Sequence, residues 1–132
     1  MLIVAVNYLG LAKHSDVMEA LFGKEQLQIY FSNSEPSQII HTKQTRAKDG
    51  AWIGEMGVKY TRISALLFSR QITPWNLVNV NLRLYHNPWA KRSGRKLLGE
   101  LPQAIPENGE MKLSPDVDLG KLLKLPKSWP QD

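Results

Sequence analysis

At 132 residues, 42% of them hydrophobic, the chain is long enough to close a hydrophobic core and ordinary in composition for a globular protein. It has no cysteine, which excludes disulfides, thiol nucleophiles and cysteine-ligated zinc, and no apolar run approaches the roughly 20 residues a membrane helix needs. The net charge of +5 hides an asymmetry: residues 43–96 carry eleven Lys/Arg against two acids (+9), and the remainder six against ten (−4).

Taken in chain order, Leu2–Asn7 (LIVAVN) reads as a strand apolar on both faces, too short for the core of a signal peptide. Such a strand calls for cover from later helices, from a second copy, or from a larger partner. Ser15–Gly23 predicts a short helix, with Ser15 as N-cap, Asp16 at the positive end of the dipole and Gly23 as terminator. Asp16 and Glu19 lie about one turn apart, a spacing open to catalytic or metal-binding use, although capping and solvation explain them more cheaply. Leu27–Phe31 alternates as a strand, Ser32–Ser37 is a loop by composition, and Gln38–His41 forms a further short strand. Lys43–Gly50 is polar and basic and ends in Asp-Gly, a loop or a hairpin tip. Gly54 and Gly57 after Trp52 mark a turn or a close backbone approach.

The chain is organised around Arg62–Arg92. Ile63–Phe68 is a strand-length apolar run, and with Leu2–Asn7 it is expected at the centre of the sheet. Thr73-Pro74-Trp75-Asn76 turns the chain, either as a corner or as a capped helical turn, and Trp75 is expected to fold back over the sheet. Val78–His86 alternates: Val78, Val80, Leu82 and Leu84 on one face, Asn79, Asn81, Arg83 and Tyr85 on a solvated one. Asn87-Pro88 closes it, and basic residues follow. From Leu97 onward five prolines predict an irregular tail, packed on a body of residues 1–96 through Leu101, Ile105, Met111 and Leu113. A short helix over Leu119–Leu125 starts at Asp116 or Asp118, and Trp129 pins the terminus. The whole makes one domain, residues 1–132, of α/β or α+β class: a mixed sheet of about five strands with two or three short helices.

Motifs for chemistry are sparse. Among His14, His41 and His86 there is no metal-ligand spacing, and GxSxG, GxGxxG and GxxxxGK[ST] are absent. His86, close to Arg83, is the best acid–base candidate. Asp49, Glu55 and Lys59 are a thin version of the carboxylate-plus-lysine set by which a Mg²⁺-dependent nuclease or phosphodiester hydrolase works. Lys43, Arg46, Lys48, Arg83, Lys91, Arg92, Arg95 and Lys96 are the residues for a phosphate-facing surface.

The segments AVN (5–7), DVMEALFG (16–23), W-x-G (52–54), RISALLF (62–68), PWNL (74–77), LYHNPWA (84–90) and LPKSWP (125–130) resemble the C-terminal part of a group of uncharacterised bacterial proteins. The resemblance spans most of the chain and carries no established activity. It implies that Leu2–Asn7 sits inside a larger α/β domain, nuclease-like with catalytic carboxylates upstream. In that case the chain is a remnant of the kind mobile gene cassettes carry.

The leading expectation is a cytoplasmic, non-enzymatic binding or assembly module. It needs no cofactor or metal, self-associates or docks on a larger partner over Leu2–Asn7, touches nucleic acid through its basic middle, and does not enter membranes. The alternative is the Mg²⁺-dependent nuclease.

Overall fold

The computed structural model describes residues 1–35, 38–77, 82–94 and 98–129 (for Ile40, the backbone alone). In chain order the elements are β1 (Leu2–Tyr8), α1 (His14–Phe22), β2 (Glu25–Phe31), β3 (Ile39–Arg46), β4 (Ile53–Gly54), β5 (Gly57–Val58), β6 (Ile63–Arg70), β7 (Leu82–His86), β8 (Gln103–Glu107), β9 (Glu110–Leu113) and α2 (Leu119–Leu122). They form two compact units, residues 1–12 with 61–132, and residues 13–60.

The first unit is built on a mixed five-stranded sheet in the order β1-β6-β7-β8-β9, an α+β arrangement. β1 runs parallel to β6, β6 antiparallel to β7, β7 parallel to β8, and β8 antiparallel to β9. All of the second unit lies within the crossover from β1 to β6. β6 is internal, and each of its residues is buried or half-buried, as its continuous apolar run requires. Ala65 within it and Leu84 beside it, in β7, are fully buried. β1 is not central: among the described residues it is the edge strand, bonded to β6 alone. The apolar run is right for an inner strand, but the parallel pairing leaves its far side open.

Three further expectations are corrected. The Arg83–Tyr85 face of β7 is not solvated, for Tyr85 is 2% exposed. The residues 78–81 of that alternation lie outside the described ones. Trp75 does not fold over the sheet and is 71% exposed. Its corner is held instead by Asn76, whose Oδ1 accepts from Thr73 N (2.8 Å) and whose Nδ2 donates to Gln71 O (2.6 Å). Finally, the tail is not irregular. β8 and β9 continue the sheet through a tight turn at Asn108-Gly109, both at positive φ (52° and 80°), as the hairpin turns favoured by strand twist demand. Pro106 is tolerated in β8 because it lies past the end of the β7 pairing, where no ladder N–H is missed. The short helix α2 is capped by Asp118, which accepts from Lys121 N, and Trp129 Nε1 donates to Pro74 O (2.8 Å), fixing the chain near its end.

In the second unit α1 buries Val17, Leu21 and Phe22. Phe22 meets Trp52 edge-on, ring centres 5.4 Å apart. The N-cap is Lys13 rather than Ser15, and Asp16 at the third helical position accepts from Lys13 N (2.7 Å), half of a capping box. Gly23 ends the helix at φ +97°, where any Cβ would lie 1.8 Å from Ala47 O. β2 and β3 form a two-stranded ribbon, so Lys43–Arg46 is strand rather than loop. Gly54 and Gly57 flank the β4–β5 turn, and the bare Cα of Gly54 admits the Lys59 side chain.

Candidate functional site

Where β6 begins and β7 ends, the first unit contains a cavity of about 220 Å³. Pro88, Ala90 and Pro106 give it apolar walls, and Ser64, His86, Asn87 and Ser93 its polar ones. The wall is fixed by the turn after β7. Asn87 N donates to Ser64 O (2.9 Å), Asn87 Nδ2 to Ile63 O (2.9 Å), Trp89 N to Asn87 Oδ1 (3.0 Å) and Lys91 N to Thr61 O (2.8 Å). An asparagine before proline thus ties the turn to the neighbouring strand at several points.

His86 is the last residue of β7 and is 2% exposed. Its Nε2 is hydrogen-bonded to Gln103 Oε1, while Gln103 Nε2 donates to the carbonyls of Leu98 (2.7 Å) and Leu101 (3.1 Å). The buried Nδ1 of His86 has no partner among the described residues. Buried polar atoms are nearly always paired, so this one calls for an explanation.

On the other face of β7, Arg83 donates through Nη1 to Gln103 O (2.8 Å) and Ser114 O (3.0 Å), and through Nη2 to Asp116 Oδ1 (2.8 Å). Burial pushes the Tyr85 phenol above its ordinary pKa, and the nearby Arg83 guanidinium pulls it partly back.

No family model, curated protein or solved structure matches the chain. Its function has to be read from geometry.

The predicted residues fall in different places. His86 lines the cavity; Asp49, Glu55 and Lys59 lie in the second unit. Asp49 Oδ1 accepts from Lys24 N (3.1 Å), so its carboxylate steadies the turn after α1. Glu55 is exposed in the β4–β5 turn. Among the described residues no group of three or more His, Asp or Glu is placed to hold a metal ion.

Two of the basic candidates are built into the fold. Arg46 donates to Gly23 O (2.8 Å) and pairs with Glu25 (3.0 Å), and Arg83 bonds as described above. Lys43 and Lys48, in the second unit, and Lys91 and Arg92, in the first, are exposed, and none takes part in a salt bridge among the described residues. Arg95 and Lys96 lie outside the described residues.

Gln103, which holds the His86 ring, escaped the sequence reading. A lone glutamine after proline carries no signal of such a role.

The other exposed feature is the free side of β1. Val6 is 38% exposed, and Leu2 and Tyr8 more so. The far end of the strand is fastened by Gln71, which donates from its backbone to Tyr8 O (2.9 Å) and from Nε2 to Leu9 O (2.8 Å). Asn7 holds the same loop, its Oδ1 accepting from Ile72 N (2.9 Å). The edge strand is therefore anchored at its far end, and its register against β6 is regular from Ile3 onward. Among the described residues no helix is long and apolar enough to cross a membrane.

Proposed function

We propose that the protein is a non-enzymatic binding module that assembles with a second copy of itself through the open edge of β1. The observation that carries this reading is a seven-residue edge strand with no charged side chain, apolar residues exposed along it, and its far end fastened. An edge strand of that kind offers unpaired N–H and C=O groups as a template for another strand. Antiparallel pairing of β1 with its own copy is isologous and closes at two chains, so it joins the two sheets without starting a filament. Sedimentation velocity over a range of concentrations tests this. Twice the monomer mass is expected, falling to the monomer in Val6→Lys with an unchanged circular dichroism spectrum. A wild-type monomer at every concentration would reject the reading.

Nucleic acid contact is a second, compatible reading, supported by Lys43, Lys48, Lys91 and Arg92, which are exposed and in no salt bridge among the described residues. Such contact is salt-dependent, with log K falling by about 0.9 per phosphate neutralised for each unit of log salt. Retention on immobilised DNA at low salt, lost as salt rises, is the expected result; no retention at low salt removes the reading. A cytoplasmic setting suits both and accords with a cysteine-free chain.

A further inference from the structure

We propose that the His86 cavity binds a small neutral ligand of the cyclic-amide class, a flat ring carrying an N–H beside a C=O. The proposal is independent of the β1 edge and starts from Gln103. Its amide nitrogen lies within hydrogen-bond distance of two backbone carbonyls, Leu98 O and Leu101 O, which can only accept. The carboxamide orientation is thereby fixed, and Oε1 is the atom that faces His86. Because Oε1 can only accept, His86 Nε2 must carry a hydrogen.

In the neutral ring Nδ1 then holds a lone pair. Nε2 is occupied by Gln103, which does not line the cavity, so Nδ1 is the ring atom left for an occupant. It is buried and unpartnered among the described residues, and bulk water does not reach it. An occupant must therefore bring a donor. Ser64, also in the wall and 1% exposed, accepts from Leu2 N (3.4 Å), and its hydroxyl proton has no acceptor among the described residues. The occupant must therefore bring an acceptor as well. Pro88, Ala90 and Pro106 give flat apolar surface, and no charged side chain lines the site among the described residues. These walls favour a neutral ring over a phosphate or a carboxylate. Uracil meets all of these requirements and serves as the probe.

Nitrogen-15 spectra of the histidine rings provide the test. The unliganded protein should show His86 protonated at Nε2, and uracil should move the Nδ1 resonance in a saturable way. 1,3-Dimethyluracil, which lacks the N–H, should leave it unmoved. Ser64→Ala should weaken uracil binding about tenfold, the worth of one neutral hydrogen bond, and Gln103→Leu should let the second tautomer appear. An Nδ1-protonated ring in the wild type, no response to uracil, or an equal response to the dimethyl compound each overturns the proposal.

Discussion

At one end of the five-stranded sheet β1 runs for seven residues without a charged side chain; at the other β9 runs for four and carries Glu110 and Lys112. The β9 edge has the features by which sheets discourage pairing: a short strand, charge, and a proline in its hairpin partner. Lys112 also pairs with Glu107 across the hairpin (3.0 Å). Inside, β9 is latched by Arg83, which reaches from β7 to the carbonyls of Gln103 and Ser114 and to Asp116. Among the described residues β1 has no latch of that kind along its free side. Among the described residues one sheet thus has an edge closed by chemistry and an edge left open, a difference that supports the pairing proposed at β1.

The largest effect should come from the interior that both edges share. Leu84 is fully buried in β7, between the β1–β6 pair and the β8–β9 hairpin. Leu84→Ala should cost about 2–5 kcal/mol in a urea titration, through lost transfer energy and the cavity left behind. Hydrogen exchange should rise at both edges together. If it rises at one edge alone, the two do not share a core and their comparison loses its basis.

Next is the latch itself. Arg83→Met keeps most of the stem and removes the guanidinium, so Ser114 O loses its donor while Gln103 O keeps the one from Ser114 N (2.9 Å). The expected cost is about 1–3 kcal/mol, the range for a buried group deprived of its partner. Exchange should increase in residues 103–116 and stay unchanged in β1. Equal increases at both ends would mean that Arg83 supports the whole sheet and not the β9 edge in particular.

Tyr85 gives a smaller effect, seen only in alkali. Its buried phenol has a pKa raised above the ordinary 10. Below pH 10 both the folded and the unfolded chain keep the proton, and the stabilisation is complete. Above it the unfolded chain ionises first, so stability falls as pH rises through the folded pKa. Tyr85→Phe should abolish that part of the alkaline decline and leave stability near neutrality changed by no more than the lost hydroxyl. Arg83→Met should leave the onset where it is, at the unfolded chain's ordinary pKa, and carry the decline further and to higher pH, because the guanidinium that holds the folded phenol down is gone. An alkaline transition identical in wild type and Tyr85→Phe would assign the decline to other groups.

These contrasts were unevenly legible in the sequence. Ile63–Phe68 announced an inner strand, and the helix ending at Gly23 followed from local spacing and a cap. Those signals are short-range, and tertiary context did not reverse them. The placement of Leu2–Asn7 was not legible: an apolar strand reads alike at the centre and at an open edge, and only pairing distinguishes them. Five prolines read as an irregular tail, whereas Asn108-Gly109, a strong local hairpin signal, is what sets the β8–β9 turn. Arg83 was legible as a cation but not as a buried latch, since its carbonyl partners lie twenty and thirty-one residues away. For the same reason His86 could be picked out as a candidate, while the glutamine that sets its ring could not.

The smallest effect on stability is also the sharpest test of why the two edges differ. Lys112 and Glu107 are more than half exposed, so their ion pair contributes little, and Glu110→Val with Lys112→Val should change stability by less than about 1 kcal/mol. The charges on β9 would then serve to keep other strands away rather than to hold the fold. If so, the double variant should gain a second mode of association: larger species in sedimentation velocity, present even when Val6→Lys has closed the β1 edge. If the triple variant stays monomeric, charge is not what protects β9, and its short length and the internal latch must be enough. That outcome would leave the openness of β1 to be explained by the length of its ladder alone.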